Sequence, residues 1–218
     1  GNDSISALNM RLAEMLGIVP FVYGINGHQW SDVLGQARKL YAERGDAVDA
    51  VVVLAGTNDF NAGVPLGEWY EVRESECPMP GSGVGTRMRR TPSADPGTLC
   101  GRINAVLAFL KEHYPTKQVI LLTPLHRGYA RFSDRNVQPD ESFPNRLGLY
   151  ADAYVAKIRE AGSVWAVPVI DLNSISGLYP LADSHVRYFS DGQTDRLHPN
   201  AAGHERMARV LACQLLAF

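Results

Sequence analysis

A nearly unbroken run of β-branched and small apolar residues, VDAVVVLAG (48–56), restricts the fold more than any other segment. A run of this kind marks a strand that is covered on both faces, as in a parallel sheet between two layers of helices. Shorter apolar runs at 18–24, 117–124 and 167–172 end in, or are followed by, glycine, proline or a polar residue, and we predict a strand in each.

Segments with helical spacing separate these strands. Apolar residues recur every three or four positions in five segments, which are 5–17, 31–45, 98–115, 146–162 and 200–218. Strands that alternate with helices predict an α/β fold with three layers, α/β/α, around a parallel sheet. In such sheets, the functional site lies beyond the carboxyl ends of the strands.

One stretch, residues 60–97, interrupts the alternation with five prolines and six glycines. We interpret it as a loop insertion with a hairpin formed by EWYEVRE and GTRMRRT, and we interpret 125–145 as a second irregular stretch. The arginines of GTRMRRT are expected on a solvated face of this hairpin. Without an internal repeat or low-complexity tail, the chain is predicted to be a single domain over 1–218.

Charge and composition exclude several classes of protein. The chain has 21 basic and 23 acidic residues, a net charge of −2, which argues against a nucleic-acid partner. No apolar run is long enough to span a membrane. The three cysteines are expected to be free thiols, with Cys77–Cys100 as the alternative pairing and Cys213 packed as a small apolar residue.

The amino terminus leaves the compartment open. The chain begins with Gly1 and its first methionine is Met10, so we expect the reading frame to start upstream. No signal-peptide pattern is visible, and both a secreted or periplasmic and a cytoplasmic location remain compatible with the sequence.

The strongest chemical signal is DRLHPN (195–200), directly before the last helix. On a turn, the three-residue spacing lets the Asp195 carboxylate hydrogen-bond the His198 imidazole. The carboxylate then fixes the tautomer and stabilises the imidazolium that forms when histidine takes a proton. A turn aspartate beside an unrelated surface histidine would explain a bare D-x-x-H, but the following Pro-Asn and helix make the motif more specific.

Two further loops carry candidate hydrogen-bond donors. LAGTNDF follows the strongest strand, and there Gly56 permits a sharp turn that lets the Asn58 amide reach over the strand ends. A donor aimed at a developing oxyanion contributes about 3–4 kcal/mol to catalysis. YGINGHQW follows the run at 18–24, and Gly27 can offer its backbone N–H to the same oxyanion. Ordinary turn chemistry would also explain each loop alone.

Together, these three motifs resemble the SGNH (GDSL-type) hydrolases in order and in placement at strand ends, over roughly residues 18–216. The resemblance implies a flavodoxin-like α/β/α fold and an ester hydrolase with a Ser-His-Asp triad, without a metal or cofactor. It implies that His198 is the general base, Asp195 its orienting partner, and Gly27 and Asn58 oxyanion donors. The family's remaining motif is G-D-S at the end of the first, central strand, where the serine is the nucleophile.

Ser4 in NDSIS is the nearest match to that motif, but Asn2 stands where glycine is needed and only three residues precede Ser4. Ile5 begins the first predicted helix, so we favour Ser4 or Asp3 as its N-cap. We therefore expect the nucleophile and its strand to lie upstream of residue 1, with Ser4 as the alternative nucleophile. Ser174 also follows a strand, but that strand is late in the order.

Three side chains near the strand ends are candidates for the substrate pocket, namely Trp30, Asp59 and His126. His198 is preferred over His126 as the base because Asp195 is its partner. The polar insertion at 60–97 favours small or carbohydrate-linked esters, acetyl esters especially, over long-chain lipids. The alternative function is a non-catalytic ligand-binding or scaffold domain on the same fold. A nucleotide binder is disfavoured because no glycine-rich phosphate loop follows any predicted strand.

Overall fold

A computed structural model describes residues 3–81 and 83–218, with side chains from residue 7 onward. The helices are α1 (Asp3–Leu16), α2 (Trp30–Arg44), α3 (Thr57–Asn61), α4 (Leu99–His113), α5 (Ala151–Trp165), α6 (Leu172–Ile175) and α7 (Ala201–Leu215). The strands are β1 (Ala50–Leu54), β2 (Tyr70–Met79), β3 (Gly83–Pro92), β4 (Gln118–Leu122), β5 (Ala130–Ser133), β6 (Asn136–Gln138), β7 (Val169–Ile170), β8 (Phe189–Asp191) and β9 (Asp195–Pro199).

The central sheet is parallel and has the order β1-β4-β7. Helices cover both of its faces. Successive side chains of a strand point to opposite sides of the sheet, so the sheet contributes apolar residues to a core on each face. Val51 and Val53 of β1 pack in one core with α2, α4 and α5. Ile120 and Leu122 of β4 pack in a second core with α1 and α7. This three-layer α/β/α arrangement confirms the fold class predicted from the alternating pattern.

The strand predicted at 18–24 is wrong, since this segment has no strand pairing in the structure. Most of its side chains are exposed, including Val19 at 77% and Val22 at 51%, whereas Tyr23 is half-buried. β1 is the edge strand of the sheet, and the segment does not pair with it. An apolar run has strand propensity, but a strand exists only where a neighbour satisfies its backbone hydrogen bonds.

A second sheet is antiparallel, with the order β6-β5-β9-β8. It contains part of the stretch at 125–145, which was predicted to be irregular, and it contains the DRLHPN motif, which was predicted to lie on a turn. Ala130 pairs with Asp195, and the backbone N–H of Arg131 donates to the carbonyl of Thr194 at 2.7 Å. β5 pairs locally with β6, and β8 pairs locally with β9, but the β5–β9 pairing that joins the two hairpins links segments distant in sequence, which short-range patterns do not reveal.

The predicted hairpin is confirmed and consists of β2 and β3. Its base is held by Asn104 of α4, which is 2% exposed. The Asn104 amide donates to the carbonyls of Trp69 and Ser93, both at 2.9 Å, and accepts from the Trp165 indole at 2.8 Å. Arg87, Arg89 and Arg90 on β3 are exposed, so these arginines lie on a solvated surface, as expected.

All three cysteines are free thiols. Cys100, in the first turn of α4, is buried in the first core, and burial raises the pKa of its thiol to about 11. Cys213 is exposed, so the prediction that it packs as a small apolar residue is wrong. Across residues 3–81 and 83–218, no helix combines the length and apolar character needed to cross a membrane.

Candidate active site

Asp195 and His198 form a hydrogen-bonded pair on β9. His198 Nδ1 lies 3.0 Å from Asp195 Oδ2. Asp195 Oδ1 accepts the backbone N–H groups of Leu197 at 3.1 Å and His198 at 3.0 Å, so the carboxylate is fixed on its own segment. The His198 side chain is 47% exposed and that of Asp195 is 17% exposed. The imidazole is therefore oriented from its Nδ1 side and open to solvent from the other.

Asn200 fixes the chain directly after this pair. Its side-chain oxygen accepts the backbone N–H groups of Ala202 and Gly203, which caps α7. Its amide nitrogen donates to the carbonyls of Arg187 at 2.9 Å and Phe189 at 2.8 Å. The asparagine of DRLHPN thus ties the helix start to β8 and its preceding turn, which holds His198 at a defined place.

The loop after β1 is shaped by Gly56, which has φ 125° and ψ −28°. A Cβ atom at this position would lie 2.7 Å from Ile158 Cδ1 and 3.1 Å from Pro124 Cγ. Both the backbone conformation and the space therefore require glycine. The turn leads directly into α3, which places Asn58 in the first turn of that helix, beyond the end of β1.

The two predicted oxyanion donors lie next to each other in the structure. The Asn58 amide nitrogen donates to the backbone carbonyl of His28 at 3.1 Å, and Gly27 directly precedes that residue. Gly27 has φ 83°, in the region that favours glycine. The asparagine amide has two N–H groups, so the bond to His28 leaves one for another acceptor.

Asp59 and Trp30 are buried beneath these loops, each with 0% exposure. Asp59 accepts the backbone N–H of Trp30 at 3.0 Å and the guanidinium of Arg102 at 3.0 Å. Burial raises the pKa of Asp59, although the hydrogen bonds from Trp30 and Arg102 oppose this effect. These contacts join the loop after β1 to the starts of α2 and α4. A role for either side chain in binding substrate stays a prediction.

His126 has a carboxylate partner that the sequence did not reveal. Its Nδ1 lies 2.6 Å from Glu141 Oε1, fifteen residues away. The next residue, Arg127, is 2% exposed, and its guanidinium donates to the Thr57 carbonyl at 3.3 Å and to Gln138 at 2.9 Å. Burial lowers the pKa of Arg127 to about 10. The contacts of His126 and Arg127 do not follow from a motif, because they join segments that only the fold brings together.

The two serines considered as nucleophiles have different surroundings. Ser4 lies in the first turn of α1, because the helix begins at Asp3 rather than at Ile5. The N-cap role assigned to Ser4 or Asp3 stays a prediction, because the side chains of both residues lie outside the described residues. Ser174 donates its hydroxyl to Asp171 and accepts from Arg159 at 3.0 Å, within a surface network.

The chain is similar to known proteins in sequence and in fold. Residues 1–206 match the model of the GDSL-like lipase/acylhydrolase family. A crystal structure with 28% sequence identity has a TM-score of 0.74, and the match covers 100% of this chain and 87% of that chain. A protein from Lactobacillus plantarum has 25% identity and a TM-score of 0.61, with 83% and 72% of the two chains covered.

A further structure shows the same fold at lower identity. It is described as a possible lipase from Chitinophaga pinensis DSM 2588, with 17% identity, a TM-score of 0.70 and coverage of 99% and 91% of the two chains. No curated protein matches the chain significantly.

Proposed function

Because this chain belongs to the GDSL-like lipase/acylhydrolase family, we propose that it hydrolyses carboxylic esters through a Ser-His-Asp triad. In this proposal, His198 is the general base and Asp195 its orienting partner. The observation that carries it is the 3.0 Å contact between His198 Nδ1 and Asp195 Oδ2 on a histidine whose side chain is 47% exposed. Acetyl esters of small alcohols or carbohydrates are the proposed substrates.

In the proposed reaction, a serine hydroxyl attacks the acyl carbon while His198 Nε2 takes its proton. The carbonyl oxygen becomes an oxyanion, which accepts hydrogen bonds from the free N–H of the Asn58 amide and from the backbone N–H of Gly27. As the tetrahedral intermediate collapses, the proton passes from His198 to the leaving alcohol. Water then attacks the acyl-enzyme, again with His198 as base, and releases the carboxylic acid and the serine.

The serine, in this proposal, belongs to a strand outside residues 1–218 that pairs with the free edge of β1. Val52 and Leu54 of β1 are each 46% exposed, although Val51 and Val53 of the same strand are buried. Segment 18–24 is unpaired and apolar, and an open groove of about 720 Å³ lies between it and α2. One additional strand paired with β1 would satisfy the backbone groups of its free edge and cover Val52 and Leu54.

The decisive experiment treats the full-length protein with a serine-reactive fluorophosphonate and maps the labelled residue by mass spectrometry. Turnover of 4-nitrophenyl acetate is measured in parallel, with His198→Ala as the inactive control. The expected result is label on a serine upstream of residue 1 together with turnover that His198→Ala abolishes.

The other outcomes separate the parts of the proposal. Label on Ser4 with turnover would contradict the upstream nucleophile but retain the ester hydrolase. Absence of both label and turnover would contradict the catalytic function and favour a non-catalytic binding domain on the same fold.

A further inference from the structure

A second histidine–carboxylate pair, His126 and Glu141, lies outside the proposed triad. His126 Nδ1 and Glu141 Oε1 are 2.6 Å apart. The other carboxylate oxygen accepts the backbone N–H of Arg127 at 2.9 Å, and the backbone N–H of Glu141 donates to the Arg127 carbonyl at 3.2 Å. The Glu141 side chain is 16% exposed. Its carboxylate is thus anchored at two points, and this fixes the imidazole beside it.

This anchoring defines the face that His126 presents. A carboxylate accepts hydrogen bonds, so Nδ1 of the neutral ring carries the proton and Nε2 carries the free lone pair. Tyr179 packs edge-on against the ring, with 5.3 Å between centroids. The His126 side chain is 30% exposed, and within the described residues Nε2 has no hydrogen-bond partner. The residue is therefore an oriented hydrogen-bond acceptor that is open to solvent.

The position of His126 relates it to the proposed site. Arg127, the next residue, contacts the Thr57 carbonyl beside Asn58. A few residues later, the Tyr129 carbonyl accepts the backbone N–H of Arg196 at 2.8 Å, and Ala130 pairs with Asp195. Segment 126–130 thus contacts both the loop that carries Asn58, a proposed oxyanion donor, and β9, which carries the proposed base His198. His126 begins this connecting segment.

We propose that His126 Nε2 accepts a hydrogen bond from a hydroxyl group on the alcohol half of the ester. This inference rests on the proposed ester hydrolysis and deepens it, because it names the substrate class as partially acylated carbohydrates or other polyols. A hydroxyl is the donor that such an alcohol half offers, and an oriented acceptor discriminates against an analogue that lacks it. Glu141 is a positioning residue that acts through His126.

The test compares two acetate esters in the full-length protein. Mono-O-acetylglucose has free hydroxyl groups on its alcohol half, whereas 4-nitrophenyl acetate has none. His126→Phe removes the acceptor and keeps a ring against Tyr179. We expect kcat/KM for the sugar ester to fall about tenfold, while kcat/KM for the aryl ester changes by less than about twofold. His113→Phe, at the end of α4, is the matched control and should change neither value.

Two kinetic outcomes would overturn the inference, namely an equal loss on both substrates and the absence of a loss on either. If the wild-type protein turns over neither ester, the proposed function fails and binding decides the inference separately. In that case, protein labelled with ¹³C at histidine Cε1 is titrated with mono-O-acetylglucose and with methyl acetate. Movement of the His126 resonance with the sugar ester alone supports the inference. A resonance that does not move, or moves equally with both, contradicts it.

Discussion

The side-chain amide of Asn58 donates a hydrogen bond to the backbone carbonyl of His28, with 3.1 Å between the two atoms. The two residues are thirty positions apart and lie on loops that the sequence associates only through a family resemblance. This bond holds the turn that contains Gly27 against the start of α3. The two proposed oxyanion donors, Gly27 and Asn58, therefore lie close together.

The first prediction concerns Asn58. Asn58→Asp keeps the shape of the side chain and replaces the N–H donors by a charged acceptor. We expect kcat for 4-nitrophenyl acetate in the full-length protein to fall about 10²–10³-fold, since one oxyanion donor is worth about 3–4 kcal/mol. Asn61→Asp, on the exposed side of the same short helix, is the control. Equal effects of the two variants would refute the assigned role.

The second prediction concerns Asp195. In Asp195→Asn, the amide N–H can donate to His198 Nδ1, which places the imidazole proton on Nε2 and removes the acceptor that the serine needs. We expect kcat near neutral pH to fall on the order of 10⁴-fold, the size of this effect in another Ser-His-Asp enzyme. Asp134→Asn, whose side chain is 87% exposed, should retain activity. A loss below about tenfold in Asp195→Asn would argue against the triad.

The third prediction concerns the turn that precedes Asn58. Gly56→Ala combines a φ of 125° with a Cβ atom 2.7 Å from Ile158 Cδ1. We expect the free energy of unfolding, measured with urea, to fall by about 2–4 kcal/mol through strain and overpacking.

Gly35→Ala provides the matched control, because it lies inside α2 with no atom within 4 Å of the new Cβ. It should raise the free energy of unfolding by about 0.5–1 kcal/mol. Similar behaviour of the two variants would show that the turn relaxes without strain.

The fourth prediction concerns the pH dependence of stability. Burial alone would raise the pKa of Asp171, but hydrogen bonds from Ser174, Thr123 and Arg159, with the nearby Arg159 charge, together lower it. A carboxyl with a lowered folded-state pKa contributes stability above its unfolded value of about 3.9, and this contribution is lost as pH falls through the folded value.

Asp171→Asn should therefore reduce the free energy of unfolding at pH 7 and flatten its decline between about pH 5 and pH 2. Urea titrations at several pH values measure both effects. Asp46→Asn, at an exposed position before β1, serves as the reference. A variant whose decline with pH remains as steep as that of the wild type would show that Asp171 does not contribute as described.

Much of the fold was predictable from local patterns. β1 and β4 were found as apolar runs with strand propensity, and α2, α4 and α7 as amphipathic segments of helical spacing. The hairpin at 70–92 was found from its position in a stretch rich in glycine and proline. In contrast, segment 18–24 has the composition of a strand and forms none, because propensity does not supply a paired neighbour.

The candidate site also contains contacts that the sequence predicts and contacts that it does not. Asp195 and His198 are three residues apart, so their contact is local and the motif predicts it. Glu141 approaches His126 from fifteen positions away, and no short motif encodes that distance. Their pairing depends on the antiparallel sheet and the loops around it, which form only when distant strands meet.

The sequence by itself determined the three-layer architecture, the order of the five long helices, and the local pairing of Asp195 with His198. These features depend on periodicity and on neighbours within a few residues. Only the tertiary structure decided that Asn58 meets His28, that Arg127 is buried against Thr57, and that β1 keeps a free edge. Those features depend on contacts between segments far apart in the chain, which form only when the folded core brings their backbones together.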